Sequence, residues 1–125
     1  MTTHVLVVDR SAKVRSVLKI YTMALGVSLL EAEDAGRALE MLRLMPIDLV
    51  LAEFDTPGME RADFLGELRS DPRRRALPVI LLTTEDTGDD AMKRAVEAGA
   101  DAFLEKPIAH GELTALLRRY LPRSG

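Results

Sequence analysis

Five short apolar segments, separated by stretches with helical spacing, constrain this chain more than any other feature. They span residues 4–9, 27–32, 48–53, 79–83 and 102–105 and are rich in branched side chains. In the clearest segments the apolar residues are continuous and do not alternate with polar ones, as in Val5 to Val8 and Val79 to Leu82. Continuous apolar runs are typical of parallel strands that are covered by helices on both faces. We therefore predict five parallel strands.

The stretches between these segments have apolar residues at steps of three and four. The first carries Val14, Val17, Leu18, Tyr21 and Leu25 and stops at Gly26. Three further helices are predicted at 36–45, 61–70 and 87–98, and a last one, marked by apolar residues between 113 and 120, ends before Pro122. A fivefold alternation of strand and helix predicts the α/β class, with right-handed crossovers and a doubly wound sheet.

Composition narrows the function classes. The chain has 125 residues, which we interpret as one domain, 1–125, and its net charge of -3 with 4% aromatic residues argues against direct nucleic-acid binding. It has no cysteine, so disulfides and cysteine-bound zinc are excluded. The longest apolar runs fall far short of the ~20 residues of a membrane span. The start has no basic region leading into a signal-peptide core, and we expect a cytoplasmic protein.

In a doubly wound sheet, functional groups lie outside the carboxyl ends of the strands. Read in order, those ends carry Asp9 and Arg10, then Glu53, then Thr83, and finally Lys106 before a proline. We expect these side chains to converge on one pocket.

Four motifs carry a family resemblance: VLVVDR at 5–10, DLVLAEFDTPGM at 48–59, PVILLTTE at 78–85 and AVEAGADAFLEKP at 95–107. With this spacing, the chain resembles the receiver domain of two-component response regulators over residues 5–121. The resemblance implies a flavodoxin-like receiver fold with strand order 2-1-3-4-5 and a signalling role, not an enzymatic one. In the family, an acidic pair after strand one and an aspartate ending strand three bind Mg²⁺. That aspartate accepts a phosphoryl group from a histidine kinase, while a Thr or Ser and a Lys hold the phosphoryl oxygens.

Four positions match what the resemblance implies. Asp9 corresponds to the first acidic residue and Lys106 to the pocket lysine. Thr83 corresponds to the switch hydroxyl, with the adjacent Thr84 as a competitor, and Phe103 stands at the aromatic switch position.

Two positions depart from the family pattern, and both affect the chemistry. Arg10 replaces the second acid, so Asp9, Arg10, Glu53 and Lys106 have a formal charge of zero and we expect Mg²⁺ binding to be lost. Glu53 replaces the phosphoaccepting aspartate. Its side chain is longer than that of aspartate by one methylene, ~1.5 Å. Displacing a reacting group by ~1 Å can lower the rate of reaction about 100-fold, so we expect phosphoryl transfer to Glu53 to be disfavoured. The longer carboxylate can partly mimic a phosphoryl group near Lys106 and Thr83.

The leading hypothesis is a pseudo-receiver, independent of phosphorylation, that binds proteins through its fourth helix, fifth strand and fifth helix. A histidine kinase or an output protein is the expected kind of partner, with no cofactor, nucleic acid or membrane. We expect Arg10 and Glu53 to pair across the pocket, with Lys106 completing the charge network. Thr83 and Phe103 should be held in one arrangement.

The alternative is a working response regulator that accepts phosphoryl on Glu53 or Asp55, although Asp55 before Thr-Pro-Gly is more typical of a turn. Arg10 and Glu53 could also be solvated, and so could the run 73–75 of three arginines. A flavin or nucleotide domain lacks support because the first loop, 10–13, has no glycine. The 55–58 fragment lacks the second aspartate of a phosphatase motif, at Pro57, and we assign no role to His4 or His110.

Overall fold

The computed structural model describes residues 2–55 and 61–121. Pro57 and Gly58, at the end of the second motif, and Pro122, after the last helix, lie outside the described residues. Strands and helices alternate strictly along the chain: β1 (Thr3–Val8), α1 (Ala12–Met23), β2 (Val27–Ala32), α2 (Ala35–Leu44), β3 (Leu49–Glu53), α3 (Arg61–Ser70), β4 (Val79–Thr83), α4 (Asp89–Glu97), β5 (Ala102–Glu105) and α5 (His110–Tyr120).

The strands form one parallel sheet in the order β2-β1-β3-β4-β5, which confirms the predicted fold. The side chains of each strand alternate between two apolar clusters. Val5 and Val7 of β1 face a cluster completed by α1 and α5, whereas Leu6 and Val8 face a cluster completed by α2, α3 and α4. All four side chains are fully buried. The continuous apolar runs therefore follow from helices covering both faces of the sheet.

Two predicted strands differ by one residue, since β1 is shifted toward the N-terminus and β3 is one residue shorter. In both cases an aspartate predicted as a strand residue lies just outside the strand and caps a main-chain N–H group. Asp9 follows β1, and its Oδ1 accepts from the Ser11 N–H at 2.8 Å. Asp48 precedes β3, and its Oδ2 accepts from the His4 N–H at 2.8 Å.

The predicted bounds of α2 and α4 also shift, and local hydrogen bonds account for most of the shift. Helix α2 begins at Ala35 because Asp34 caps it by accepting from the Arg37 N–H at 2.8 Å. It ends before Met45, whose extended conformation is the one favoured before proline. Helix α4 begins only at Asp89, since Thr87 belongs to a turn in which its N–H donates to the Thr84 carbonyl at 3.0 Å. None of the helices described in residues 2–55 and 61–121 combines the length and the apolar character needed to cross a membrane.

Candidate functional site

The sheet brings the predicted pocket residues to one edge. Asp9 directly follows β1, Glu53 ends β3, Thr83 ends β4 and Lys106 directly follows β5. All strands are parallel, so these positions share the carboxyl edge. The register pairs Val8 with Ala52, which aligns the next residues, Asp9 and Glu53, on neighbouring strands.

Asp9 is the buried acid of this pocket, with 0% of its surface exposed. Its Oδ2 lies 2.7 Å from the Lys106 Nζ, and no other described residue donates a hydrogen bond to that oxygen. A fully buried carboxylate is stable only with a compensating charge, and Lys106 supplies it. The pair joins the ends of β1 and β5.

The Arg10 side chain lies on the solvent side of Glu53 and covers its carboxylate. Its Nε donates to Glu53 Oε1 at 2.9 Å, and its main-chain N–H donates to Glu53 Oε2 at 3.1 Å. Its Nη2 donates to the main-chain carbonyl of Asp55 at 2.9 Å. The Arg10 side chain is 60% exposed and that of Glu53 only 14%. The carboxylate therefore lies inside the pocket while the guanidinium covers it, as the sequence predicted for this pair.

Thr83 links the end of β4 to β5 through two hydrogen bonds. It is 3% exposed, its hydroxyl donates to the Leu104 carbonyl at 3.4 Å, and its own carbonyl accepts from the Lys106 N–H at 2.7 Å. Phe103, half-buried on β5, packs against the cluster shared with α4. Thr84 is exposed and takes part in the turn before α4, so Thr83 is the hydroxyl at the strand end.

Comparison with known proteins agrees with this geometry. The family model of the response regulator receiver domain matches residues 5–118. The chain belongs to the response regulator receiver family. Among its relatives, the chemotaxis protein CheY-3 of Vibrio cholerae is 30% identical over 120 residues, covering 95% of this chain and 92% of that protein.

Other relatives are longer than this receiver domain. The probable transcriptional regulator ycf29 of Cyanophora paradoxa is 31% identical over 96% of the chain, which spans 57% of that protein. The sensor histidine kinase CheAY of Helicobacter pylori is 32% identical over 97% of the chain, which spans only 15% of the kinase. The chain thus spans little more than half of the first of these relatives and a small part of the second.

Solved structures share the fold along nearly the whole receiver domain. A putative response regulator from Chloroflexus aurantiacus superposes with a TM-score of 0.90 at 24% identity, covering 98% of this chain and all of that one. The receiver domain of a histidine kinase from Syntrophus aciditrophicus gives 0.86 at 27% identity, with 99% and 96% covered.

Two residues that support the pocket escaped the sequence analysis. Arg15 of α1 is 14% exposed, and its Nη1 donates to the Asp9 carbonyl at 2.6 Å. Its Nε pairs with Glu31 Oε1 at 3.1 Å. Glu31 was the available signal, because it is the one charged residue in the segment 27–32. Arg15 thus fixes the main chain from which Arg10 extends.

Two further residues considered from sequence, Asp55 and His110, make different contacts. Asp55 is exposed, and its described contact with Arg10 uses the main-chain carbonyl. The ring of His110 packs against that of Tyr21, with centroids 4.9 Å apart. Among residues 2–55 and 61–121, no three His, Asp or Glu side chains are grouped as metal ligands.

Proposed function

We propose that this two-component receiver domain signals by binding other proteins and does so without being phosphorylated. The observation that carries the proposal is the position of Arg10, whose side chain and main chain engage both carboxylate oxygens of Glu53. An internal cation and its carboxylate replace the metal and the phosphoacceptor that the family pattern implies.

The residues present do not fit Mg²⁺. This ion takes oxygen ligands in near-octahedral geometry at about 2.0–2.1 Å. The Glu53 carboxylate and the Asp55 carbonyl are oxygens of that kind, but the Arg10 guanidinium already donates to both. The Asp9 carboxylate is neutralised by Lys106. A cation entering here would meet two positive side chains and too few carboxylates.

The same contacts work against phosphoryl transfer to Glu53. A carboxylate nucleophile needs a lone pair aligned with the entering phosphorus, and shifts near ~1 Å already reduce such rates about 100-fold. Hydrogen bonds from Arg10 hold both oxygens, and the extra methylene moves them further along the pocket. Phosphorylation on Asp55, whose side chain is exposed, is the alternative that experiment must exclude.

We propose the face formed by α4, β5 and α5 as the protein-binding surface. Val96 of α4 is 55% exposed, and Phe103 on β5 is half-buried. Exposed apolar side chains among charged neighbours such as Lys93 suit a protein contact. A histidine kinase or an output protein is the kind of partner we propose, since receiver-like segments occur within such relatives.

Titration with Mg²⁺ and beryllofluoride tests the metal part of this proposal. At millimolar concentrations, the amide NMR signals of Arg10, Glu53 and Thr83 should stay in place. The matched control is the variant carrying both Arg10→Asp and Glu53→Asp, in which those signals should shift saturably. Saturable shifts confined to the pocket of the unmodified protein would contradict the proposal.

A further inference from the structure

The edge of the sheet opposite the pocket exposes apolar side chains beside arginines. Helix α2 ends there, with Leu44 74% exposed and the following Met45 37% exposed. Arg43, in the last turn of α2, is exposed as well. The segment before β4 adds two further exposed arginines, Arg73 and Arg75. We call these five residues the basal surface.

Strand register brings the two parts of the basal surface to the same edge. Strands β3 and β4 are neighbours, with Val50 paired to Val79, and the Val50 N–H donates to the Pro78 carbonyl at 2.9 Å. The segments leading into these strands therefore run side by side. Ile47 from one and Leu77 from the other pack against the same apolar cluster.

The turn that carries Arg73 and Arg75 is held by many hydrogen bonds. Asp71 accepts from the Arg73 N–H through its carboxylate at 2.9 Å, and from the Arg74 and Arg75 N–H groups through its carbonyl at 2.9 Å. From the last turn of α3, Arg69 Nη1 donates to the Leu77 carbonyl at 2.7 Å and to the Arg75 carbonyl at 3.1 Å. These bonds fix the main chain from which Arg73 and Arg75 extend, so a ligand has to order only their side chains.

The three exposed arginines are charged without compensation. Arg74 pairs with Asp71 at 3.0 Å, but Arg43, Arg73 and Arg75 make no ion pair with any other described residue. They concentrate positive charge on one end of a chain whose net charge is -3. Charge complementarity of this kind speeds association with an acidic partner and orients it.

We propose that the basal surface binds an acidic segment of a partner protein, whose apolar side chains rest on Leu44 and Met45. The patch has too few charges and no aromatic platform for nucleic acid, and the chain's pI is about 5.4. Two exposed apolar residues are also fewer than stable membrane attachment requires. The surface lies at the far edge from the pocket and from Arg10, and the inference does not depend on phosphorylation.

The test measures fluorescence anisotropy of a labelled acidic peptide built from Asp, Glu and Leu, at physiological ionic strength. Arg73→Glu combined with Arg75→Glu should raise its Kd about tenfold or more, because attraction becomes repulsion at the contact. The control, Lys13→Glu with Lys19→Glu, changes net charge equally at exposed sites on α1, outside both proposed binding surfaces, and should change Kd less than about twofold. Leu44→Ser should weaken binding without altering charge.

Three results would overturn the inference. Equal weakening by both charge-reversed variants would show that only net charge matters. An absence of saturable peptide binding, combined with sedimentation on phosphatidylserine vesicles, would assign the surface to membranes. Concentration-dependent self-association that Arg73→Glu with Arg75→Glu abolishes would assign it to a second copy of this chain. None of these results would bear on the pocket, so the proposed function stays separately testable.

Discussion

Position 10 shows how one residue can redefine a pocket. Arg10 donates from its main chain and from two nitrogens of its guanidinium, and its three acceptors lie on Glu53 and Asp55. These bonds join the end of β1 to the end of β3. Because the guanidinium is 60% exposed, solvent screens the pair and its energy must be discounted accordingly.

A double-mutant cycle measures this coupling. Arg10→Ala and Glu53→Gln should each destabilise the protein, and the double variant should lose less than the sum of the two. We expect a coupling of about 0.5–1 kcal/mol from urea denaturation. Additivity within about 0.3 kcal/mol would mean that the two side chains do not interact in solution.

Lys106 should matter more for stability than Arg10 does, because its partner is fully buried. Lys106→Met leaves the Asp9 carboxylate at 0% exposure without its cation. Removing one member of a buried pair costs about 3–5 kcal/mol, and the 20% exposure of Lys106 lowers our expectation to about 2–4 kcal/mol. Lys93→Met, at an exposed site, should stay within about 0.5 kcal/mol. Similar losses for both variants would contradict the role given to Lys106.

The turn after α4 is constrained by its backbone conformation and by a close side-chain contact. Gly99 has φ +113°, which residues with a side chain rarely adopt, and an added Cβ would lie 2.7 Å from Arg69 Nε. Arg69 also donates to the Gly99 carbonyl through Nη2 at 2.6 Å and to Asp101 Oδ2 at 3.0 Å. This contact packs the end of α3 against the start of β5.

Gly99→Ala should therefore destabilise the domain by about 2 kcal/mol or more, through backbone strain and displacement of Arg69. Gly66 is the matched control, since it lies within α3 and an added Cβ would meet nothing within 4 Å. Gly66→Ala should stabilise by about 0.5–1 kcal/mol. Thermal unfolding of both variants checks the sign, and a neutral Gly99→Ala would refute the close approach of Arg69.

Strands β4 and β5 should hold the proposed partner face in one arrangement. Thr83 binds β5 through its hydroxyl and its carbonyl. On the proposal that Mg²⁺ does not bind in the pocket, there is also no bound metal to favour a second state. We predict no exchange between two populations at Phe103 in NMR relaxation dispersion. Dispersion at Phe103 that Thr83→Val removes would show that the face still switches.

The local pattern of apolar residues was enough to predict the strands and helices. It was not enough to predict where all of them end or which side chains contact each other. The apolar runs identified β2, β4 and β5 with their observed bounds, because burial on both faces leaves a strong signal. The start of α4 was missed because the Thr84–Thr87 turn depends on hydrogen bonds that spacing does not reveal. Convergence of the pocket followed from topology. The role of Arg15 depends on Glu31, a partner 16 residues away, and could not be read from spacing.

Over the whole molecule, the two edges of the sheet differ in character. At the carboxyl edge, charges are paired within the pocket, as Asp9 is with Lys106 and Glu53 with Arg10. At the amino edge, the arginines of the basal surface make no ion pair with any other residue that the structure describes. If both proposals hold, this domain binds partners through the face formed by α4, β5 and α5 and through the basal surface, without a chemical step in the pocket.

Intact mass after incubation with acetyl phosphate and Mg²⁺ tests the central claim most directly. The unmodified protein should keep its mass for two reasons. The Arg10 guanidinium is hydrogen-bonded to the Glu53 carboxylate, and on our proposal the pocket offers too few oxygen ligands for Mg²⁺. The variant with both Arg10→Asp and Glu53→Asp should gain about 80 Da at position 53, while either single variant stays largely unlabelled. A gain of about 80 Da on the unmodified protein, mapped to Glu53 or Asp55, would contradict a phosphorylation-independent receiver.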